Sequence, residues 1–344
     1  MAMTSREIVY RTLKFETPER MARQTWILPW ARKRYPAKIE EFERKYPNDI
    51  AYAPLPYLPC PRAKGDPYAL GSYVDEWGCV FENIMEGVIG EVKNPIVTDI
   101  EDLSTCQPPY EMLPVEVGEA RDRVNAFCRQ SEKFVMASVS PRPWERMQFL
   151  RGTENAMMDV IGDEDQARKL LEKIHAFFMR KMEFWATTEV DALFFMDDWG
   201  SQKRLLISPK IWRKLFKPMY KDYCDLAHAN GKFIFMHSDG CISEVYEDLI
   251  EIGVDALNSQ LFTMDMAELA KVAKGKITFW GEVDRQHVLT AADPEVARRA
   301  VRQVAEHLYD PRGGIIAQFE IGPGTNIENA FAIYDEWEKV SASL

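Results

Sequence analysis

Six short apolar runs punctuate the chain from residue 134 onward: FVMASV (134–139), ALFFM (192–196), FIFM (233–236), ALN (256–258), ITFW (277–280) and GIIAQF (314–319). None alternates apolar with polar positions, so each predicts a strand buried on both faces, as in a parallel sheet. Between and after them, apolar residues recur at helical spacing over 163–187, 209–229, 241–252, 265–273, 294–308 and 326–340. Start signals support several of these helices. Ser208-Pro209 and Asp293-Pro294 place a capping residue before a proline at the first helical position, and Thr4 with Glu7 forms a capping box that starts a helix over 4–14. Pro218 is expected to bend or split the 209–229 helix. Strand followed by helix, repeatedly, predicts an α/β chain.

The residues just after each run separate a barrel from an open sheet. The runs lead into DDWG, HSDG, NSQ, GEVDRQ and QFE, so at least five strands carry polar or ionisable residues at their C-terminal ends. A (β/α)8 barrel gathers its active site there, whereas a doubly wound sheet concentrates such residues at one switch point. No G-x-G-x-x-G stands after any strand. The expectation is one TIM-type barrel domain over residues 1–344. The stretch 15–110, rich in Pro, Trp and Tyr, is expected to fold as irregular loops over the barrel mouth.

The strand-end residues Asp197, Asp198, His237, Asp239, Asn258, Gln260, Glu282, Asp284, Gln318 and Glu320 would converge on one rim. Any single carboxylate at such a place can instead cap the next helix. His237 and Asp239 stand two apart on a strand and so share a face, which makes them the leading catalytic or ligand pair. His175, His228 and His307 read as surface or packing residues. Carboxylates crowded in a mouth repel one another, so the site needs a cation, bound protons, or both. Either a metal binds through His237 and two carboxylates, as zinc can, or a carboxyl stays protonated and acts as a general acid. Trp199 and Trp280, beside the polar strand ends, suggest an aromatic-walled pocket.

Composition narrows the classes. A formal net charge of −11, with no Lys/Arg run interleaved with aromatics, argues against a nucleic-acid surface. No apolar signal-peptide core begins the chain and no stretch approaches a membrane span, so a soluble, cytoplasmic protein is expected. The six cysteines lack a C-x-x-C pair and read as reduced thiols, with Cys241, four residues after His237, the one nearest the candidate site.

The succession DDWGSQKRLLISPKIWRKLFKP, an apolar strand into HSDG, LIEIGVDALNSQ, TFWGEVDRQ and IIAQFEIGPGTNIEN resembles the uroporphyrinogen decarboxylase superfamily. The similarity runs from REIVYRTLKFETPER to the C-terminal helix and is most specific over 195–330. It implies a distorted (β/α)8 barrel, and the superfamily holds both tetrapyrrole decarboxylases and cobalamin-linked methyltransferases.

Two departures from the family patterns direct the choice. The decarboxylases carry W-x-M-R-Q-A-G-R, whose arginines hold substrate carboxylates. Here TWILPWARKRYP has proline at the first arginine, and only Lys33 or Arg34 falls near the second. The thiol-methylating members bind zinc through H-x-C and a later Cys. Here His237 matches, Asp239 replaces the first Cys, and Phe319 or Glu320 stands at the second. An oxygen-rich site suits the demethylating members, which pass a methyl group from an ether to the cobalt of a separate corrinoid protein. The resemblance therefore implies an O-demethylase component of anaerobic metabolism acting on a small methoxylated donor, aromatic ones included. In that reading His237 and Asp239 activate the leaving group, Glu282 and Asp198 support them, and Asn258, Gln260 and Gln318 bond the substrate. Any metal, zinc included, would sit on His237, Asp239 and Glu320. The barrel and its lid account for nearly all of the chain, so the corrinoid is expected on a partner protein. The alternatives are a decarboxylase of a small or tetrapyrrole carboxylate and a barrel that only binds a tetrapyrrole or corrinoid.

Overall fold

A computed structural model describes residues 2–342. Eight parallel strands make one sheet: β1 (Ala22–Ile27), β2 (Ile50–Tyr52), β6 (Phe134–Met136), β7 (Ala192–Met196), β8 (Phe233–Ser238), β9 (Ala256–Ser259), β10 (Thr278–Trp280) and β11 (Ile315–Ile321). They are ordered β1-β11-β10-β9-β8-β7-β6-β2. That order curls the sheet into a nearly closed TIM-type barrel, as the strand-end pattern predicts. β1 and β2 face each other across the remaining seam, which is bridged largely by side chains. Asn48 Oδ1 accepts from Thr25 N at 2.8 Å, and the Asp49 carboxylate accepts from Arg23 N and from the Arg20 guanidinium.

The helices fall where the apolar spacing puts them. Thr4 and Glu7 form the capping box of Ser5–Lys14, and Ser208 and Asp293 cap Pro209–Leu215 and Pro294–Leu308. The helical stretch of 209–229 breaks at Phe216, just before Lys217-Pro218, because proline removes a helical donor and its ring crowds the preceding turn. The Ser5–Lys14 helix packs on β1, β2, β6 and β11, and its buried Ile8, Val9 and Leu13 join Phe134, Phe194, Phe235, Trp280 and Ile316 in the core inside the barrel. A second, larger core fills the space between the strands and the surrounding helices. Between β2 and β6 the chain inserts a small antiparallel sheet, β3 (Gly71–Val74), β4 (Val80–Asn83) and β5 (Glu91–Asn94). It is tied down by the buried Arg146–Asp75 ion pair, with Arg146 also over the Trp77 ring. Among the described residues no helix is long and apolar enough to cross a membrane, and all six cysteines are free thiols.

Candidate active site

Register decides which strand-end side chains meet. Met196, His237 and Asn258 are successive partners across β7, β8 and β9, and in a parallel ladder partners point to the same face. On the other wall Gln24 pairs with Gln318 and Trp26 with Glu320. The pleat also separates the two aspartates of DDWG. Asp197 turns outward, where it accepts from Trp144 N, Glu145 N and the Tyr220 hydroxyl, so it caps the helix Pro143–Arg151. Asp198 turns inward.

Asp198 meets His237. Its Oδ1 accepts from Asp239 N at 3.0 Å and lies 3.4 Å from His237 Nε2, while Asp239 Oδ1 lies 3.7 Å from the same nitrogen. Glycines let these loops touch: a Cβ on Gly240, whose φ is +78°, would fall 2.0 Å from Gly200 O. The ends of DDWG and HSDG thus pack backbone on backbone, with Gly200 N donating to Asp239 O.

The opposite ring nitrogen, His237 Nδ1, lies 2.6 Å from Asn258 Oδ1. The Asn258 amide donates to Trp280 O and to Gln318 Oε1, so its Oδ1 accepts and Nδ1 carries a proton. Burial alone would push the His237 imidazolium down. The Asp198 bond and the charges of Asp239 and Asp198 outweigh it and bring it up to about 10. Asp198, although burial opposes its ionisation, is held down at about 2 by His237. At neutral pH the pair is an imidazolium and a carboxylate, with the Nε2 proton facing Asp198.

Arg285 is a residue that sequence reasoning missed, although it lies within GEVDRQ. Its guanidinium binds Asp239 Oδ2, and its Nη1 lies 3.3 Å from Glu320 Oε1 and 3.8 Å from Glu282 Oε1. Burial pushes Glu282 up to about 8 even though Arg285 pulls the other way. The crowded carboxylates are therefore relieved by a cation of the chain itself, Arg285, and by burial that favours a proton on Glu282.

A cleft of about 700 Å³ opens above this group, lined among others by Trp26, Tyr52, Phe194, Met196, His237 and Glu320. Its aromatic wall comes from different residues than expected. Trp199 is buried behind β7, stacked on Trp144 and donating to Tyr220. Trp280 is buried inside the barrel against Phe194, Phe235 and Trp26, with its indole N–H on Gln24. Asn258, fully buried, serves His237, and the equally buried Gln318 accepts from Asn258 through its Oε1 while its own Nε2 has no hydrogen-bond partner. Gln260 accepts from Gly240 N and borders a smaller cleft with Glu282 and Arg285. For a metal, the ligand atoms that converge within 4.8 Å of one another belong to Asp198, His237 and Asp239. Glu320, the third ligand expected from the sequence, is drawn to Arg285 instead. One imidazole with its Nδ1–H committed and two carboxylates fit a divalent ion that takes nitrogen and oxygen donors.

Residues 75–340 match the family model for uroporphyrinogen decarboxylase (URO-D). Among solved structures, a methyltransferase from Methanosarcina mazei has a TM-score of 0.70 at 15% identity, covering 98% of this chain and 99% of that one. At that identity the likeness is one of fold. A putative vitamin-B12 independent methionine synthase from Listeria monocytogenes has a TM-score of 0.38 at 12% identity, over 88% of this chain and 83% of that one. No curated protein matches the sequence.

Proposed function

The chain belongs to the uroporphyrinogen decarboxylase family, and within it we propose a methyltransferase that moves a methyl group from a small methoxylated donor to the cobalt of a separate corrinoid protein. The Methanosarcina methyltransferase, alike in fold over nearly its whole length, supports the transferase reading. The observation that carries the donor class is the placement of His237 at the cleft, its Nδ1 held by Asn258 and its Nε2 3.4 Å from Asp198, an arrangement that favours the imidazolium.

Breaking a methyl–oxygen bond leaves the bonding pair on oxygen, and an alkoxide or phenoxide leaves poorly without a proton or a Lewis acid. Reduced cobalt supplies the electron pair that takes the methyl group. His237 Nε2 gives its proton to the departing oxygen, with Asp198 and Asp239 orienting the ring and stabilising the imidazolium before transfer. A divalent ion on Asp198, His237 and Asp239 would meet the same need as a Lewis acid. Arg285 and the protonated Glu282 keep the surrounding carboxylates from cancelling the positive charge.

The test is anaerobic mixing of the protein with a reduced corrinoid protein and a panel of methoxylated compounds. Methyl-cobalt formation is read from the corrinoid absorbance. The expected result is formation with at least one ether donor, slowed about 10²-fold or more in His237→Ala. Equal rates in that variant remove His237 from the mechanism, and no formation with any donor and partner removes the transferase.

A further inference from the structure

Beside the His237 cleft stands a second one that the proposed chemistry leaves unassigned. It holds about 80 Å³, is lined by the loops that follow β7, β9 and β10, and shares Arg285 with the larger cleft. Short local bonds build its walls. Glu282 N donates to Ser259 O at 2.7 Å, which sets Glu282 against the end of β9, and the backbone and hydroxyl of Thr263 both donate to Gln260 O, closing the single turn Leu261–Thr263.

Three of the four ionisable side chains that line this cleft are already engaged. Asp284 accepts from Gln286 N and His287 N, and its Oδ2 lies 3.0 Å from His287 Nδ1. Arg285 is bound to Asp239 and lies 3.3 Å from Glu320. Glu282 is the exception. It is 2% exposed, and its buried Oε1 has no hydrogen-bond partner in the protein, with Arg285 Nη1 standing 3.8 Å away. Much of the remaining polar lining is neutral amide. Gln260 spends Oε1 on Gly240 N and keeps its amide N–H groups, while Gln202 and Gln286 stand exposed at the rim, 3.4 Å apart. Phe262 supplies an apolar side.

A buried carboxyl oxygen without a partner is costly, so a ligand that fits this cleft must bond it. A carboxylate would add charge to Glu282, Asp284, Asp239 and Glu320, and an ammonium would be set beside Arg285. An ester or ether brings no N–H to Glu282. A primary amide brings a donor and an acceptor on separate atoms, and it serves Glu282 in either protonation state, as donor to the carboxylate or acceptor from the carboxyl.

We propose that this cleft is a binding subsite for a neutral primary amide, held by Glu282 Oε1 and the free amide N–H of Gln260 at the edge of the His237 cleft. A volume of about 80 Å³ takes a short arm of roughly five heavy atoms. Such an arm belongs either to a free small amide or to the macrocycle around cobalt, since a corrin ring is fringed with acetamide and propionamide arms. Only that second source rests on the methyltransferase reading.

The experiment is ligand-observed NMR titration of the full chain with propionamide, against propionate and methyl propionate as its charged and its N–H-free counterparts. Propionamide is expected to bind saturably in the millimolar range, which is the reach of a ligand this small, and about 5-fold or more tightly than either counterpart. Glu282→Leu removes the carboxyl, and Gln260→Glu keeps the acceptor for Gly240 N while removing the amide donor. Each is expected to weaken propionamide binding by about 5-fold or more, with folding checked by circular dichroism. In a second arm, dicyanocobinamide is compared with the heptamethyl ester of dicyanocobyrinate by equilibrium dialysis. Cobinamide binding that exceeds ester binding and falls in both variants assigns the amide to the macrocycle, whereas propionamide binding without it assigns a free amide. The proposal falls if methyl propionate binds as tightly as propionamide, if both variants bind like the parent chain, or if neither propionamide nor dicyanocobinamide binds saturably. Failure of the transferase reading looks different: amide binding stays sensitive to both variants, yet no methyl-cobalt forms with any donor and partner.

Discussion

His237 Nδ1 and Asn258 Oδ1 stand 2.6 Å apart on neighbouring strands, and this one contact commits Nδ1 and leaves Nε2 to Asp198 and Asp239. Partners that fix a functional imidazole in this way are worth about 10–100-fold in activity or metal affinity. Asn258→Ala is therefore expected to slow methyl-cobalt formation by about that factor without abolishing folding. Asn258→Asp, which keeps an acceptor opposite Nδ1, should recover part of the rate. Equal losses in both variants would assign Asn258 to packing alone.

Glu282 makes stability depend on pH in a defined direction. Burial raises its carboxyl from the ordinary 4.5 to about 8, so the folded chain holds that proton more tightly than the unfolded chain does. The stabilisation is complete below the ordinary value and is lost as pH rises through about 8. Glu282→Gln keeps the neutral form at every pH. Its Tm relative to the parent protein is expected to rise as pH is taken from about 5 to about 9, read by thermal unfolding. A difference that is flat or falls with pH would mean that Glu282 is already ionised in the fold.

Much of the site was legible in the sequence because period-2 alternation is a strong rule. FIFMHSDG places His237 and Asp239 on one face, and the structure brings Asp239 and Asp198 onto the same nitrogen of His237. The same rule distinguishes Asp198 from Asp197 only once the direction of β7 is known, and adjacent aspartates give no hint of it. Arg285 was hidden for a related reason. It lies in the loop after β10, where no periodicity operates, and only tertiary contacts show that it reaches Asp239 and Glu320. Trp26 was missed because β1 reads ARQTWI, a half-polar strand beside the open seam, and β2 is three residues long. Trp199 and Trp280 sit next to functional residues in sequence, yet both are committed to buried hydrogen bonds.

Metal binding can be measured directly. Asp239 Oδ2 is already bound by Arg285, so a divalent ion would compete with a guanidinium for that carboxylate. No thiolate stands among the converging ligands Asp198, His237 and Asp239, and oxygen and imidazole donors hold zinc less firmly than sulfur does. Zinc bound to the purified protein is expected to be removed by a chelator, and Asp198→Asn or Asp239→Asn should weaken its binding. Elemental analysis that finds stoichiometric zinc resistant to chelation would contradict this, as would unchanged affinity in both variants.

Uroporphyrinogen III, the substrate for which the family is named, should not be turned over. Eight carboxylates need several unpaired cations facing the cleft, and the stretch where the decarboxylases resemble W-x-M-R-Q-A-G-R does not supply them. Leu28 and Pro29 line the mouth there, and the next three basic residues are engaged elsewhere: Arg32 with Glu43, Lys33 with Glu86, and Arg34 over the Tyr35 ring. Arg285 is taken by three carboxylates of the protein itself, which would also repel a polyanion approaching His237. Incubation with chemically reduced uroporphyrinogen III under anaerobic conditions is expected to give no coproporphyrinogen above the enzyme-free control. Product at enzyme-like turnover, lost in His237→Ala, would instead make the chain a decarboxylase and show that the Arg285 cluster opens to admit substrate.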